Sequence, residues 1–422
     1  MEKGTAKSYF PQMVDIERAA GHIAQVADPT PLQHNLRYSK IHGAHISLKR
    51  EDLHRVRSYK IRGAFNKLAS LSKGELERGV VCASAGNHAQ GVAFACSHLK
   101  VKGTIFMPTV TPNQKIDQTR MFGGQWVEVV LEGDTFDDSN LAAQGYCQRE
   151  GKIFVHPFDD PKIIEGQATV GLEILRQCDS PIDYLFVPVG GGGLASGLCG
   201  VFGALSPKTK IIGVEPLGAA SMTGAMEMGE LVRLEKIDKF IDGAAVQQVG
   251  GLNLAICRER LHKISTVPEG RVCQHILDLY NRDAIVVEPA GALSMAALED
   301  HAQEIRGKNV VCVVSGGNND ITRMAEIKER ALLHANLKHY FIVRFPQRPG
   351  ALKEFVADIL GPRDDITHFE YTKKSSRENA PAVVGIELKA PQDLEPLVQR
   401  MKENHFFGDY LNDKPDLFQY FV

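Results

Sequence analysis

Runs of basic residues and long apolar stretches are both missing from this sequence. Its 49 Lys and Arg residues are balanced by 51 Asp and Glu residues, which gives a formal net charge of −2. Proteins that bind nucleic acid or anionic membranes usually carry a basic stripe, so neither partner is expected. No apolar stretch is long enough to span a bilayer, and residues 1–7 lack the apolar core of a signal peptide.

Clustered cysteines and several common enzyme motifs are missing as well. The eight cysteines are scattered without a Cys-x-x-Cys pair, and some, such as Cys82 and Cys312, lie in apolar segments. This pattern predicts buried, reduced thiols in a cytoplasmic protein. The sequence has no zinc-ligand spacing and no HExxH, GxSxG or GxxxxGKS/T motif, so it offers none of the sites that these motifs form.

The chain does contain enough apolar sequence for complete hydrophobic cores, since 43% of its 422 residues are hydrophobic and 24% are charged. Strand-like and helix-like segments alternate over most of its length, which predicts parallel sheets with helices on both faces. The predicted strands are 45–49, 80–83, 104–107, 126–130, 153–155, 184–187, 210–214 and 309–314. The predicted helices are 13–27, one that begins at residue 60, 87–99, 114–122, 136–150, 163–178, 252–261, 272–280 and 320–335.

The pattern changes near Lys338, where shorter elements begin. The order of these elements is βαββαβ, which is typical of a ferredoxin-like unit. The predicted strands are 340–345, 366–372, 382–388 and 409–411, and the predicted helices are 351–360 and 394–404. We therefore predict one domain at residues 1–336 and a second domain at residues 337–422.

Lys60 stands at the start of an amphipathic helix, within the segment Ser58-Tyr59-Lys60-Ile61-Arg62-Gly63-Ala64. Most lysines at such positions are simply solvated. In a crowded site, however, a lysine amine loses its proton more easily and can form a Schiff base with a carbonyl compound. Lys60 is therefore a candidate catalytic residue if other parts of the chain supply a site around it.

Four consecutive glycines, Gly190 to Gly193, lie between a predicted strand and a helix. Such a run lets several backbone N–H groups approach one ligand, and the start of a helix carries partial positive charge. We interpret the loop as a phosphate-binding site, since a tight turn alone would need only one glycine. A dinucleotide site is an alternative, because Gly190-x-Gly192-x-x-Ala195 matches the loose fingerprint and Glu215 follows about twenty residues later.

Two further loops between a strand and a helix are rich in polar residues, Ser84-Ala85-Gly86-Asn87-His88 and Ser315-Gly316-Gly317-Asn318. Ser84 or Asn87 is expected to cap its helix, but capping explains only one of the polar residues. The start of that helix also suits a carboxylate. Because ligands of parallel sheets bind beyond the carboxyl ends of the strands, all three loops are expected at one crevice. His54 and His88 are candidate bases, although hydrogen-bonded structural histidines are more common.

Four motifs resemble, in chain order, those of the threonine dehydratase (threonine ammonia-lyase) family: the Lys60 segment, the loop Ser84 to His88, the glycine run followed by Leu194, and the loop Ser315 to Asn318. This family belongs to the fold-type II pyridoxal-phosphate enzymes, which are similar to the β-subunit of tryptophan synthase. The resemblance covers essentially the whole chain. It implies two open, mainly parallel αβα subdomains in residues 1–336, the smaller at about 55–155, and a single ACT-like regulatory domain in residues 337–422.

The resemblance also implies a role for each motif. Lys60 would hold pyridoxal 5'-phosphate as a Schiff base and then transfer protons. Asn87 would bind the ring hydroxyl of the cofactor, and Ser315 would face its pyridine nitrogen. The cofactor phosphate would be bound by Gly190, Gly191, Gly192, Gly193 and Leu194. The substrate carboxylate would be bound by Ser84, Ala85, Gly86, Asn87 and His88.

The implied reaction is the α,β-elimination of L-threonine to 2-oxobutanoate and ammonia, the first committed step of isoleucine biosynthesis, with L-serine as a further substrate. Lys60 would remove the α-proton before the β-hydroxyl leaves. Serine racemase resembles this family but has a serine where Ala85 stands here, so racemisation is not expected. Some relatives bind a divalent cation near the position of Glu215, through an aspartate that is Ser221 here, so no metal ion is expected.

The C-terminal domain is expected to bind isoleucine and valine as effectors, with the turn Arg348-Pro349-Gly350 as a site for their carboxylate. Relatives also suggest a homotetramer. Three other functions stay open at this point. They are a catabolic threonine or serine dehydratase, a dinucleotide-dependent oxidoreductase, and a non-catalytic amino-acid sensor. The intact Lys60 argues against a sensor, because a protein without catalysis is free to lose that amine.

Overall fold

The computed structural model describes residues 9–371 and 379–414. Residues 1–7 and Thr372, the last residue of one predicted strand, lie outside the described residues. Two compact units are present. The first comprises Met1–Glu269 with Leu279–Asn319, and the second comprises Gly270–Asp278 with Asp320–Val422. The predicted boundary at 336/337 falls between a helix and a strand of the second unit, and it stays a prediction.

Strands and helices alternate along the first unit, as the sequence pattern predicts. The strands, in chain order, are β1 (Leu32–His34), β2 (His45–Arg50), β3 (Val80–Ala83), β4 (Gly103–Met107), β5 (Val127–Leu131), β6 (Ile153–Phe154), β7 (Tyr184–Pro188), β8 (Lys210–Pro216), β9 (Lys263–Val267), β10 (Asn309–Val314), β11 (Lys338–Pro346), β12 (Asp365–Tyr371), β13 (Asn379–Glu387) and β14 (Phe407–Tyr410). The α-helices are α1 (Met13–Ile23), α2 (Leu36–His42), α3 (Lys60–Ala69), α4 (Lys73–Arg78), α5 (Asn87–Leu99), α6 (Asn113–Gly123), α7 (Phe136–Glu150), α8 (Pro161–Gln177), α9 (Gly193–Leu205), α10 (Ser221–Met228), α11 (Gly251–Arg260), α12 (Glu269–Asp283), α13 (Pro289–Ala296), α14 (Ala302–Ile305), α15 (Met324–His334), α16 (Ala351–Glu354) and α17 (Leu394–Glu403).

The larger sheet of the first unit has the strand order β1-β2-β10-β7-β8-β9. β1 pairs antiparallel with β2, and every other neighbouring pair in this sheet is parallel. β7 and nearly all of β10 are buried, which is why both read as continuous apolar runs in the sequence. Because β7 and β10 are neighbours, their carboxyl ends bring the glycine loop and the Ser315 loop side by side.

The smaller sheet has the order β5-β4-β3-β6 and is parallel throughout. Its central strands β3 and β4 are completely buried. Side chains define where its helices begin, since Thr135 and Asp138 form a capping box at α7 and Asp160 caps α8 ahead of Pro161. The two sheets confirm the predicted pair of open, mainly parallel αβα layers.

Four predicted elements have the same first and last residues as the observed ones. They are helices 87–99 and 136–150 and strands 80–83 and 309–314. Helix α1 ends at Ile23, earlier than predicted. Several elements were not predicted, including β1, β9, α2, α10 and α13. Every residue of α13 is buried, so no polar face marks a helical period in its sequence.

The second unit contains an antiparallel sheet with the order β12-β13-β11-β14. This order confirms the predicted ferredoxin-like unit. The helix predicted at 351–360 is α16 followed by a π-helical turn, Phe355–Ile359. The core is rich in aromatic residues, and its members include Phe341, Phe345, Phe355 and Phe406. Across the described residues, none of the helices combines the length and the apolar character needed to span a lipid bilayer.

A buried ion network fixes α3 in the first unit. The guanidinium of Arg62 is fully buried and donates to both carboxylate oxygens of Glu51 at 2.7 and 2.8 Å, and to both of Glu173 at 2.6 and 2.8 Å. Lys49 Nζ also contacts Glu173 at 2.6 Å, and the ring of His54 contacts Glu51 at 3.0 Å. Burial alone would raise the pKa of Glu51, but the charge of Arg62 holds it well below its usual value. His54, a candidate base in the sequence, therefore belongs to a structural network.

Replacing Arg62 by alanine should lower the free energy of unfolding by about 3–5 kcal/mol, because the fully buried carboxylate of Glu51 loses the guanidinium that neutralises it. Arg18→Ala is the matched control. Arg18 pairs with Asp15 at 2.8 Å, but its side chain is 58% exposed, so its removal should cost less than about 1 kcal/mol. Urea denaturation followed by circular dichroism measures both values. Equal stability of the two variants would contradict the structural role of the network.

Candidate active site

Lys60 is the first residue of α3, and the segment before it is tied to the loop that follows β10. The N–H of Tyr59 donates to the carbonyl oxygen of Ser315 at 3.1 Å. Next to it, Ser58 and Gly316 form an isolated antiparallel bridge. These backbone contacts bring two of the predicted site residues, Lys60 and Ser315, together although they are far apart in the sequence.

The Lys60 amine lies in a crowded, half-buried position. Its Nζ donates to the carbonyl oxygen of Pro157 at 2.9 Å and lies 5.4 Å from the centre of the Tyr59 ring. Burial lowers the pKa of Lys60 to about 8, although the charge of Glu288 acts in the opposite direction. This amine therefore loses its proton far more readily than an exposed lysine, as a nucleophile or a base requires.

The polar loop between β3 and α5 presents unused backbone donors. Gly86 is the residue before the helix, and no side chain caps α5, so the prediction that Ser84 or Asn87 caps it is wrong. Instead, Ser84 Oγ accepts the N–H of Gly86 at 3.2 Å. Among the residues that the structure describes, the N–H groups of Ala85, Asn87 and His88 have no acceptor. The start of α5 is therefore available to an anion such as a carboxylate.

Two other residues of α5 hold the helix close to Lys60. His88 Nε2 lies 3.0 Å from the carbonyl oxygen of Val155. Burial, together with the charge of Lys60, lowers the pKa of His88 to about 3, so this ring stays neutral and structural. At Gly91, an added Cβ would lie 3.0 Å from the carbonyl oxygen of Lys60. The absence of a side chain there lets α5 pack directly on the backbone of α3.

The glycine run after β7 forms a closely packed turn at the start of α9. Gly192 has a φ of +93°, and an added Cβ at Gly191 would lie 2.2 Å from the ring of Phe158. The N–H groups from Gly191 to Leu194 lie at the positive end of a helix of 13 residues. Within the described ranges, these groups donate to no acceptor. Backbone donors that side chains cannot cover fit a phosphate, which is the ligand that the sequence predicts here.

Sequence reasoning missed two residues that hold this turn, Asn253 and Asp159. Asn253 Nδ2 donates to the carbonyl oxygens of Gly191 at 2.8 Å and Phe158 at 3.1 Å. The carboxylate of Asp159 accepts the first two N–H groups of α11, each at 3.0 Å. A buried asparagine in the first turn of α11 is a signal that could have identified the first of them.

Asn87 is held on both sides of its carboxamide. Its Nδ2 donates to Glu288 Oε1 at 2.6 Å, and its Oδ1 accepts from Nδ2 of Asn318 at 2.7 Å. Burial and the charge of Asp242 raise the pKa of Glu288 to about 7. Ser315 is buried directly after β10. Sequence reasoning also missed Glu288, whose only sign is its position in an apolar segment.

Glu215, the acidic residue of the alternative dinucleotide site, forms its hydrogen bonds with other residues of the protein. Its carboxylate accepts the N–H groups of Met222 and Thr223 at 2.7 and 2.8 Å, and the Thr223 hydroxyl at 2.8 Å. Burial raises the pKa of Glu215 to about 7, and these bonds act against the rise. Glu215 thus stabilises the first turn of α10, in which Ser221 is buried. Across the described residues, no group of three or more His, Cys, Asp and Glu side chains is arranged to hold a metal ion.

Comparisons with known proteins connect this geometry to a chemistry. The model of the family described as pyridoxal-phosphate dependent enzyme matches residues 23–316. Residues 329–422 match the C-terminal regulatory domain of threonine dehydratase. The larger part of the chain is therefore similar to pyridoxal-phosphate enzymes, and the C-terminal part is similar to a regulatory domain.

Several relatives are similar to this chain over nearly its full length. The chain is 53% identical to the biosynthetic L-threonine dehydratase of Halalkalibacterium halodurans, over 97% of this chain and 99% of the relative. It is 52% identical to the biosynthetic L-threonine dehydratase of Bacillus subtilis, over 97% of each. The solved structure of processed threonine deaminase isoform 2 from Solanum lycopersicum is similar with a TM-score of 0.71 and 39% identity, over 77% of this chain and 96% of that chain.

Replacing Gly191 by aspartate should weaken the binding of pyridoxal phosphate by about a hundredfold or more, because a side chain enters the turn and a negative charge meets the phosphate. Absorbance titration of cofactor-free protein measures the affinity. Gly191→Asn has nearly the same shape without the charge and separates the two causes. Gly145→Asp, in open space on α7, should leave the affinity unchanged. Equal affinity of Gly191→Asp and the wild type would rule out the phosphate site.

Proposed function

The chain belongs to the pyridoxal-phosphate-dependent enzyme family, and we propose that it is a biosynthetic threonine dehydratase that converts L-threonine into 2-oxobutanoate and ammonia. The observation that carries this proposal is the match of both parts of one chain, residues 23–316 to the enzyme family and residues 329–422 to the regulatory domain of threonine dehydratase. We propose residues 1–336 as the catalytic domain, with the smaller subdomain at about 55–155, and residues 337–422 as the regulatory domain.

The residues at the site fit pyridoxal 5'-phosphate. The unused N–H groups of the glycine turn suit its phosphate, and the Lys60 amine, with its lowered pKa, suits its aldehyde. Asn87 would contact the ring hydroxyl, and Ser315 would face the pyridine nitrogen. When bound, the cofactor draws electrons from the α-carbon of an amino acid and makes the α-proton acidic.

Lys60 carries out the proton transfer in this proposal. Its Nζ would hold the cofactor, and as a free amine it would take the α-proton of L-threonine. The N–H groups at the start of α5 bind the substrate carboxylate and so fix the α-carbon beside Lys60. Ala85 has no group that could return a proton from another direction. Racemisation is therefore not expected, and the β-hydroxyl would instead leave as water after it has accepted a proton.

We further propose that the C-terminal domain binds isoleucine as an inhibitor and valine as its antagonist, in a homotetramer located in the cytoplasm. The regulatory-domain match supports control by an amino acid. An effector can change catalysis only by binding unequally to two states of the enzyme. The turn Arg348-Pro349-Gly350 is less open than expected, since the Arg348 N–H donates to the carbonyl oxygen of Pro346 at 2.8 Å.

The alternatives have less support. Family membership argues against a dinucleotide-dependent oxidoreductase, and both oxygens of Glu215 are already hydrogen-bonded. The Lys60 amine, with its lowered pKa, argues against a pure sensor. A catabolic dehydratase of threonine or serine would have less use for the regulatory domain. L-serine remains a second substrate in our proposal.

Lys60→Ala should lower the rate of 2-oxobutanoate formation by about a thousandfold or more, because no other amine can take the α-proton. The assay mixes protein, pyridoxal phosphate and L-threonine and measures 2-oxobutanoate. Lys73→Ala is the control, since Lys73 is exposed at the start of α4, and it should keep wild-type activity. A Lys60→Ala variant with a tenth of the wild-type rate would show that the assignment is wrong.

A chain that ends at residue 337 should remain an active dehydratase that isoleucine no longer inhibits. The measurement is activity against isoleucine concentration, with and without valine, for the full-length and shortened chains. Inhibition of both chains at the same midpoint would place the effector site outside residues 338–422. A full-length enzyme that ignores both amino acids would instead favour the catabolic function.

A further inference from the structure

Glu288 is a buried carboxyl group that lies directly before α13 and has no role in the reaction proposed above. Only 6% of the residue is exposed. Its Oε1 accepts Nδ2 of Asn87 at 2.6 Å. Its own N–H donates to the carbonyl oxygen of Gly316 at 3.1 Å. Glu288 thus contacts both polar loops that surround Lys60.

Glycines make the room that this carboxyl group occupies. A Cβ at Gly316 would lie 2.4 Å from Glu288 Oε1, and a Cβ at Gly243 would lie 3.5 Å from the same atom. The first distance is shorter than any normal contact, so a side chain at Gly316 would displace the carboxyl group. The loop after β10 is therefore shaped around Glu288.

The contacts of Asn87 leave its carboxamide one orientation. A carboxylate can only accept hydrogen bonds, so it faces the NH2 group of Asn87. The Nδ2 of Asn318 is a donor, so it faces the carbonyl oxygen of the same carboxamide. With one Nδ2 hydrogen used by Glu288, the second hydrogen remains for a ligand at the site.

We propose that Glu288 is a positioning residue for the elimination reaction: it fixes the Asn87 carboxamide so that one N–H is directed to the ring of the cofactor, and it places a negative charge at the loop after β10 that is bridged to the Lys60 segment. This inference rests on the proposed function. It adds a residue that acts through Asn87 and Lys60 and does not touch the reacting atoms.

The effect of the Glu288 charge on the pKa of Lys60 can be measured, because few other charged groups act on these two residues. Asp242 and Lys115, which form an ion pair with each other, act on the Glu288 pKa in opposite directions, and burial of the Tyr59 phenol keeps it protonated with its pKa raised. Glu288 is the charged group that acts on the pKa of Lys60.

The two histidines near Lys60 add no charge at neutral pH. Burial lowers the pKa of both His88 and His156. A change at Glu288 should therefore reach the Lys60 amine without a competing change from these rings.

The first test follows the rate of pyridoxal phosphate binding to cofactor-free protein by absorbance as a function of pH. In the wild type, the rate should rise with pH to a midpoint of about 8, because the neutral Lys60 amine reacts. Glu288→Gln keeps an acceptor for Asn87 but removes the charge, so the midpoint should move to lower pH while the affinity stays within about threefold. An unchanged midpoint would overturn the proposal.

The second test asks whether Glu288 acts through Asn87. Glu288→Ala removes the acceptor and should weaken cofactor binding about tenfold. In protein that already carries Asn87→Ala, it should cause no further loss. Losses that multiply in the double variant would overturn the positioning role. Circular dichroism checks the fold of Glu288→Ala, and if that variant does not fold, the Glu288→Gln midpoint decides.

Glu215→Gln is the matched control for both tests. Glu215 is also a buried glutamate with a pKa raised to about 7, but it holds Met222 and Thr223 in α10. Its replacement should leave the midpoint unchanged, and an equal shift would show that the Glu288 effect is not specific. Wild-type protein that forms no 2-oxobutanoate would overturn the proposed function itself. Wild-type activity combined with an unshifted Glu288→Gln midpoint would overturn the Glu288 inference alone.

Discussion

The fully buried guanidinium of Arg62 is the interaction on which the position of the catalytic helix depends. Arg62 follows Lys60 on α3 and is neutralised by Glu51, directly after β2, and by Glu173 on α8. A buried charge of this kind is tolerated only when its partners are all in place. Three separate segments are therefore locked together next to Lys60. Backbone contacts tighten the arrangement, since a Cβ at Gly166 would lie 2.6 Å from the carbonyl oxygen of Arg62.

Different groups fix the position of α3 and set the pKa of the Lys60 amine at its start. The ion network holds α3 in place, whereas burial lowers the pKa of the Lys60 amine and the charge of Glu288 acts in the opposite direction. The pKa of this amine can thus change without a change in the position of α3. The glycine turn is held in a similar way, because Asn253 donates to the carbonyl oxygen of Gly191 and leaves the N–H groups of the turn for a ligand.

Local patterns predicted much of the fold and the centre of the site. Alternating strands and helices, the lysine at the start of α3 and the glycine run are all signals that neighbouring residues create. Glu288 and Asn253 escaped prediction because their partners lie far away in the sequence, at Asn87 and Gly191. The expected cap of α5 was wrong because Gly86 takes the position before the helix. Helix α13 was missed because it is buried on every side and shows no period.

The residues of the Arg62 network are far apart along the chain, and this separation affects when the site can form during synthesis. Arg62 and Glu173 are 111 positions apart, so α3 leaves the ribosome long before its partner exists. Until then Lys60 remains in water and keeps the proton of an ordinary lysine. The pair Asn87 and Glu288, separated by 201 positions, is completed later still. A growing chain therefore offers aldehydes in the cell no activated amine, and the reactive lysine arises only with the finished core.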